Sequence, residues 1–336
     1  MSRNSRPGPG SDSVETIALL QNISSLEYFS QKDRAPGRVL EDINLVVKKG
    51  EAWGITARSL FEIKLLLEIL ANIKPYDGGK CVLVERGMPR NKRTILQHVF
   101  YIGNSDMLYN TMNVLEYLMF ALDRKNTASR VELQEQVLEF VVAAGLGYVL
   151  LTPVKMLTKE EKAVVALMVA AQTGSLMTVF NLPEYAFDAV LVNAIARLSG
   201  FILAQGKALI IGTPDCVLIE KTCGHTAFIA DGRLIYSGTV ENLRVTYDKT
   251  EFILRDKDIY YLKERLAPLL PGYKLTIKDG SLFVGSRNGD AGGSAYIYGK
   301  LAEAGVIPEQ IEINPKTVRN GYEELILHYD LQNELL

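Results

Sequence analysis

The chain has little cysteine and no marked excess of either charge. Its three cysteines, Cys81, Cys216 and Cys223, are too few and too scattered for a disulfide framework, and no C-x-x-C pair offers a zinc site. A reducing cytoplasm fits that usage. Across 336 residues the formal net charge is −2 and the pI is about 6.1, so no global basic surface points to nucleic acid or to an anionic membrane. Long apolar runs are also missing. The longest, Ala163 to Ala171, is half a bilayer span, which limits any membrane role to a peripheral one. The polar, Pro/Gly-rich start, MSRNSRPGPGSDS, is not followed by an apolar h-region and reads as a disordered leader over residues 1–14. No fixed-period repeat occurs.

What is present is 48% hydrophobic residues, enough to bury one large and one small domain. ETIALLQNIS and RVLEDINLVV read as strands, the second alternating as a half-buried strand does. KPYDGGKCVLVE reads as a turn and a strand, HVFYIGN as a short buried strand, and VLEYLMFAL as a helix. SRVELQEQVLEFVVAAGL opens with a Ser cap, and LTKEEKAVVALMVAAQ opens with Thr-x-x-Glu, a capping box. SLMTVFNLP and KALIIGTP then read as buried strands around the helix AVLVNAIARLSGFILAQ. Short apolar strands alternating with helices predict an α/β fold with a parallel sheet covered on both faces. HTAFIADGRLIYSGTVENL reads as a hairpin turning at Asp231-Gly232, followed by a short helix. Beyond about Asp248 small strands and helices alternate, as in a compact α+β appendage.

The stretch from Val47 to Asn72, VKKGEAWGITARSLFEIKLLLEILAN, has the outline of a phosphate-binding loop: strand, turn, helix. Such a loop is written G-x-x-x-x-G-K-[ST] and opens a helix whose first N–H groups face an anion. The sequence predicts a strand over Ala52–Thr56, a helix over Leu65–Asn72, and the loop ARSLFEIK between them. Ala57 and Glu62 fall at the two glycine positions, Ile63 at the lysine and Lys64 at the Ser/Thr that holds magnesium. No glycine remains, and glycine is what lets successive N–H groups converge on a phosphate. A carboxylate at Glu62 adds like-charge repulsion. Taken alone, this stretch is equally an ordinary β-turn-α unit.

The order and spacing of all these elements, with the phrases VLEDINLVVKKGE, ILANIKPYDGGKCVL and DGRLIYSGTVENL, resemble the nucleotide-binding (ATPase) subunit of an ABC transporter from Ile17 to about Tyr247. The tail phrase EAGVIPEQIEINPKTVRNGYEELILHY resembles the C-terminal extension of the exporter type. The resemblance implies a P-loop NTPase-like ABC ATPase domain over 15–247, with a helical subdomain at about 105–173, and a C-terminal α+β accessory domain over 248–336. It places Tyr28, or Phe29, at the adenine-stacking aromatic and Asn104 at the magnesium-sensing Gln. Leu157, Thr158, Lys159, Glu160 and Glu161 stand at the signature LSGGQ, and Asn181 and Leu182 at the Walker B Asp and Glu. Asp188 stands at the inter-subunit aspartate and Pro214 at the switch histidine. Met107, Leu108, Tyr109 and Met112, within Asn104–Leu115, are expected to be exposed and to face a permease.

Those substitutions bear on the chemistry. An amide carries no charge to a magnesium shell, and an isobutyl group takes no proton. At an effective dielectric of about 20, a carboxylate about 4 Å from a phosphate charge is repelled by roughly 4 kcal/mol; Glu160 and Glu161 equally suit a first helical turn. The expected function is therefore a structural or regulatory subunit of a membrane transport complex that lacks the ATPase residues. Its partners would be a permease, a catalytic ABC ATPase or a second copy, with no nucleic acid, no metal and no nucleotide cofactor. It would sit peripherally on the inner face of the cell membrane. The alternative is an active exporter ATPase with an altered ATP/Mg site, using Lys64 for phosphate and Glu184 or Asp188 for water, although Lys64 is one residue, about 100°, off the family position. A soluble binding protein for another ligand is a third reading. His225 is expected to be a surface or hairpin histidine.

Overall fold

The computed structural model describes residues 15–30, 35–83, 98–103, 108–123, 129–247, 251–286, 293–314 and 317–334. The expected leader lies outside them. The chain forms two compact units: one runs to Cys223 and includes Ile229–Ser237, and the other takes Gly224–Phe228 and the chain from Gly238 onward.

In the first unit, β1 (Thr16–Ser25) lies between antiparallel partners β4 (Ile43–Lys48) and β6 (Tyr76–Leu83). Ile43, Leu45 and Val47 are buried while Asn44, Val46 and Lys48 face out, the period-2 pattern of a half-buried strand. β2 (Glu27–Ser30) and β3 (Ala35–Arg38) form a separate two-stranded ribbon.

A second sheet has the order β11-β10-β5-β9-β8-β7, made from β5 (Ala52–Ala57), β7 (Val99–Ile102), β8 (Met177–Asn181), β9 (Ala208–Gly212), β10 (His225–Ala230) and β11 (Arg233–Thr239). β5, β9, β8 and β7 run parallel. Every residue of β8 and β9 is buried. Such strands require cover on both faces, which explains their near-continuous apolar sequences.

The helices of this unit are α1 (Leu60–Leu70), α2 (Val114–Leu122), α3 (Arg130–Ala144), α4 (Lys159–Gln172), α5 (Ala189–Ala204) and α6 (Cys216–Thr222). α4 carries the longest apolar run, and Ala163 to Ala171 are all buried, so the run forms a core helix. Its C-terminal carbonyls are held from a distance. Lys207 Nζ donates to the carbonyls of Ala171 and Thr173, and Gln205 Nε2 donates to Ala171 O at 2.9 Å. A cation there complements the helix dipole.

The second unit contains α7 (Val240–Tyr247), β12 (Glu251–Arg255), α8 (Ile259–Leu266), β13 (Tyr273–Lys278), β14 (Ser281–Ser286), α9 (Gly293–Ala304), β15 (Gln310–Asn314) and α10 (Val318–Glu334). From β12 to β15 the pattern is β-α-β-β-α-β, with antiparallel order β13-β14-β12-β15, a split βαβ fold. Its core joins Phe252, Leu254, Leu282 and Val284 of the central strands to Ile259, Leu262, Leu266, Ile297 and Leu301 of α8 and α9. This unit begins earlier than the expected division after Tyr247. α7 packs along α10, and Thr226 and Phe228 both meet Tyr322 of α10, so these residues group with the C-terminal part.

Candidate nucleotide-loop site

The turn after β5 is shorter than expected. α1 begins at Leu60 and not at Leu65, so ARSLFEIK is helix from its fourth residue onward and only Arg58 and Ser59 intervene. The cause is local. Ser59 is the N-cap, and Ser59-x-x-Glu62 closes a capping box. Ser59 Oγ accepts from Phe61 N at 3.2 Å, and Glu62 Oε2 accepts from Ser59 N at 3.1 Å. Arg58 N donates to Ile229 O at 3.2 Å, and Ile63 N to Ser59 O at 3.4 Å. The amides of Arg58, Ser59, Phe61 and Ile63 therefore already have acceptors.

Glu62 is not poised at the surface to repel a ligand. It is 6% exposed, and its Oε1 accepts from Gly232 N at 2.7 Å. Gly232 has φ +78°, a left-handed turn position, and a Cβ there would fall 2.7 Å from Val39 O; both facts call for glycine. Asp231, with φ 49°, forms the turn with it, and Arg58 Nη1 lies 3.4 Å from Asp231 Oδ2. Burial pushes the Glu62 carboxyl above its ordinary 4.5, while the Gly232 and Ser59 amides pull it back.

The neighbouring positions are occupied by the chain itself. Ile63 is fully buried, and a Cβ on Gly212, at the end of β9, would come within 2.7 Å of its Cγ2. Lys64 Nζ is 3.6 Å from Glu184 Oε1, so the lysine expected to serve an altered ATPase is paired with one of the two carboxylates, Glu184 or Asp188, expected to serve it. Ala57 ends β5. Tyr28 is half-buried and meets the Phe61 ring edge-on, with centroids 5.5 Å apart at 87°.

At the end of β8, Asn181 is fully buried. Its Nδ2 donates to Lys64 O at 3.0 Å and to Tyr101 Oη at 3.1 Å, while among the described residues its Oδ1 has no hydrogen-bond partner. Burial pushes the Tyr101 phenol up to about 12, against the lowering effect of the Asn181 bond. Leu182 is buried beside it, and Glu184 is exposed.

The remaining expected positions serve as helix caps or turns. Thr158 caps α4: Thr158 Oγ1 accepts from Glu161 N at 3.1 Å, and Glu161 Oε2 accepts from Thr158 N at 2.9 Å. Lys159 Nζ lies 3.6 Å from Glu160 Oε1 and 4.6 Å from the centre of the Tyr185 ring. Leu157 is buried. Asp188 caps α5 by accepting from Leu191 N at 2.8 Å. Pro214 is exposed before Asp215, which caps α6. His225 is half-buried at the start of β10.

Of the expected permease-facing group, Asn104 and Met107 lie outside the described residues. Leu108 is buried, correcting its reading as exposed, whereas Tyr109 is exposed and its ring lies 5.5 Å from Phe120. Met112 is half-buried. Among the described residues no group of three or more His, Cys, Asp or Glu could hold a metal ion. Arg58, Ser59, Phe61, Tyr101 and Gly232 were not among the expected site residues, although the motif S-x-x-E at Ser59 was a readable signal for the first of these contacts.

Comparison with solved structures finds cbiO1 from Clostridium perfringens, part of the ABC transporter complex cbiONQ. It has a TM-score of 0.55 at 17% identity and covers 76% of this chain and 97% of that one. The fold is that of an ABC ATPase domain. Sequence comparison agrees at the level of relatives. The chain is 24% identical over 239 residues to an uncharacterized ABC transporter ATP-binding protein of Nostoc sp., covering 69% of each. It is also 24% identical over 229 residues to the methionine import ATP-binding protein MetN of Clostridium acetobutylicum, covering 67% of this chain and 69% of that one. No family model matches the chain.

Proposed function

We propose that this ABC-ATPase-like chain is a structural or regulatory subunit of a membrane transport complex and does not hydrolyse ATP. One observation carries the reading. The helix after β5 starts at Leu60 under its own capping box, with the Glu62 carboxylate bonded to the amides of Ser59 and Gly232. A triphosphate would have to displace a buried carboxylate and the first turn of a helix to reach those amides. The Walker B position supports the same reading, because Asn181 puts an amide there in place of a carboxylate and spends it as a buried donor to Lys64 O. cbiO1, which shares this fold, is named as part of an ABC transporter complex, and by that likeness the partner is a membrane permease, with a catalytic ABC ATPase or a second copy beside it. The place of work is the cytoplasmic face of the membrane; no helix among the described residues is long and apolar enough to cross it. Export as the direction of transport rests on the tail resemblance alone; four of the relatives are named for methionine import.

The test is equilibrium binding of a fluorescent ATP analogue to the purified chain, with and without magnesium. The expected result is no saturable binding up to millimolar nucleotide. Tight magnesium-dependent binding, with turnover lost in Lys64→Ala, would install the altered-site ATPase instead.

A further inference from the structure

We infer that the split βαβ fold of the C-terminal unit docks a second copy of itself, face to face, through the side of its sheet that α8 and α9 leave uncovered. The two helices pack on the side chains of Phe252, Leu254, Leu282 and Val284, so the intervening residues project to the other face. There, Ile253 and Phe283 stand directly opposite each other on the two central strands and are only partly buried.

Charge sorts to the two edges of this face. Strand β13 presents exposed Lys274, Thr276 and Lys278, with Thr276 in register with Phe283; β15 presents exposed Gln310 and Glu312, with Glu312 in register with Ile253. Arg255 bridges within the face, 3.4 Å from Glu312, and also bonds Gln310 and Ser281.

A two-fold axis parallel to the strands reverses the strand order of the second copy. It lays the basic β13 of one copy over the acidic β15 of the other and β14 over β12, so Phe283 meets the second copy's Ile253. Lys274 and Lys278 then flank the second copy's Glu312. The same operation makes both contacts twice, as an isologous interface requires. Edge-to-edge pairing through β13 is disfavoured by its lysines, the usual protection of an edge strand. A four-stranded face of five or six residues per strand spans only about 350 Å2 in plan, from strand spacing and rise, so the association belongs to the weak, reversible class. The inference uses nothing from the nucleotide-loop site and does not depend on the reading given to it.

The experiment is sedimentation equilibrium of the full chain over a concentration series, with nucleotide absent. A monomer–dimer equilibrium is expected, and Phe283→Asp should raise the dimer dissociation constant at least tenfold. Lys278→Glu and Glu312→Lys should each weaken it several-fold, and the double variant should recover most of the loss. Thermal melts establish that each variant is folded. A chain that stays monomeric at 100 micromolar, dimerisation unchanged in Phe283→Asp and Lys278→Glu, or no recovery in the double variant would overturn the proposal. So would single-stranded RNA that binds the native chain and not Phe283→Asp, since the face would then be a nucleic-acid platform.

Discussion

Asn181 is where one substituent decides most. Its amide donates to two oxygens inside a fully buried site, and an ionised carboxylate donates to neither. Asn181→Asp should therefore destabilise the fold at neutral pH by about 1–3 kcal/mol, the cost of leaving a buried acceptor unpaired. Thermal melts should show the deficit shrinking as the pH falls and the new acid becomes a donor; a variant as stable as the native chain at pH 7 would contradict the bonding described. Glu62 gives a second residue-scale outcome. Its folded-state value lies above the ordinary 4.5, so the protonated form is the one the fold favours. The associated stability is complete below about 4.5 and is lost as the pH rises through the raised value. Glu62→Gln keeps an acceptor at the third helical position but does not titrate. The melting temperature of the native chain relative to Glu62→Gln should thus decline between pH 4 and pH 7; a constant difference would mean that the carboxyl is not desolvated.

Caps explain which elements could be read from the sequence and which could not. The Thr158 box on α4, the Ser129 cap on α3 and the Asp231-Gly232 turn stood out in the sequence because each is set by residues three or fewer apart. The start of α1 was equally local, through Ser59 and Glu62, yet alignment to a glycine loop favoured an extended turn that these residues do not form. Ser59→Ala should cost about 0.5–2 kcal/mol and speed hydrogen exchange at Leu60 to Ile63 before the rest of α1; unchanged exchange there would mean that the cap does not set the boundary. Leu108 illustrates the other limit: a short apolar group in a loop carries no period from which burial can be read. The strand order of the C-terminal unit was beyond local signals as well, because β12 pairs with β14 and β15 across intervening helices.

At the scale of the whole molecule, the α/β class and the parallel sheet followed from apolar strands alternating with helices. The division between units did not, because it depends on α7 packing against α10, more than seventy residues away in sequence. Global cooperativity can be read through thiols. Cys223 is buried and its thiol is pushed up to about 12 by desolvation, whereas Cys216 is half-buried at the start of α6. Alkylation should reach Cys216 in the native state and Cys223 only at the rate of unfolding; early modification of Cys223 would expose a local opening near the end of α6. The bond from Gly232 N to Glu62 links a hairpin turn to a helix 170 residues earlier, and it constrains the history of the chain. Placing glycine at position 62 removes the Glu62 half of the capping box and strands the Gly232 amide in one step, before any phosphate is present to take over. A substitution path toward a glycine-bearing loop therefore descends in stability before it gains a ligand, and the Glu62–Gly232 bond acts as a barrier to that change.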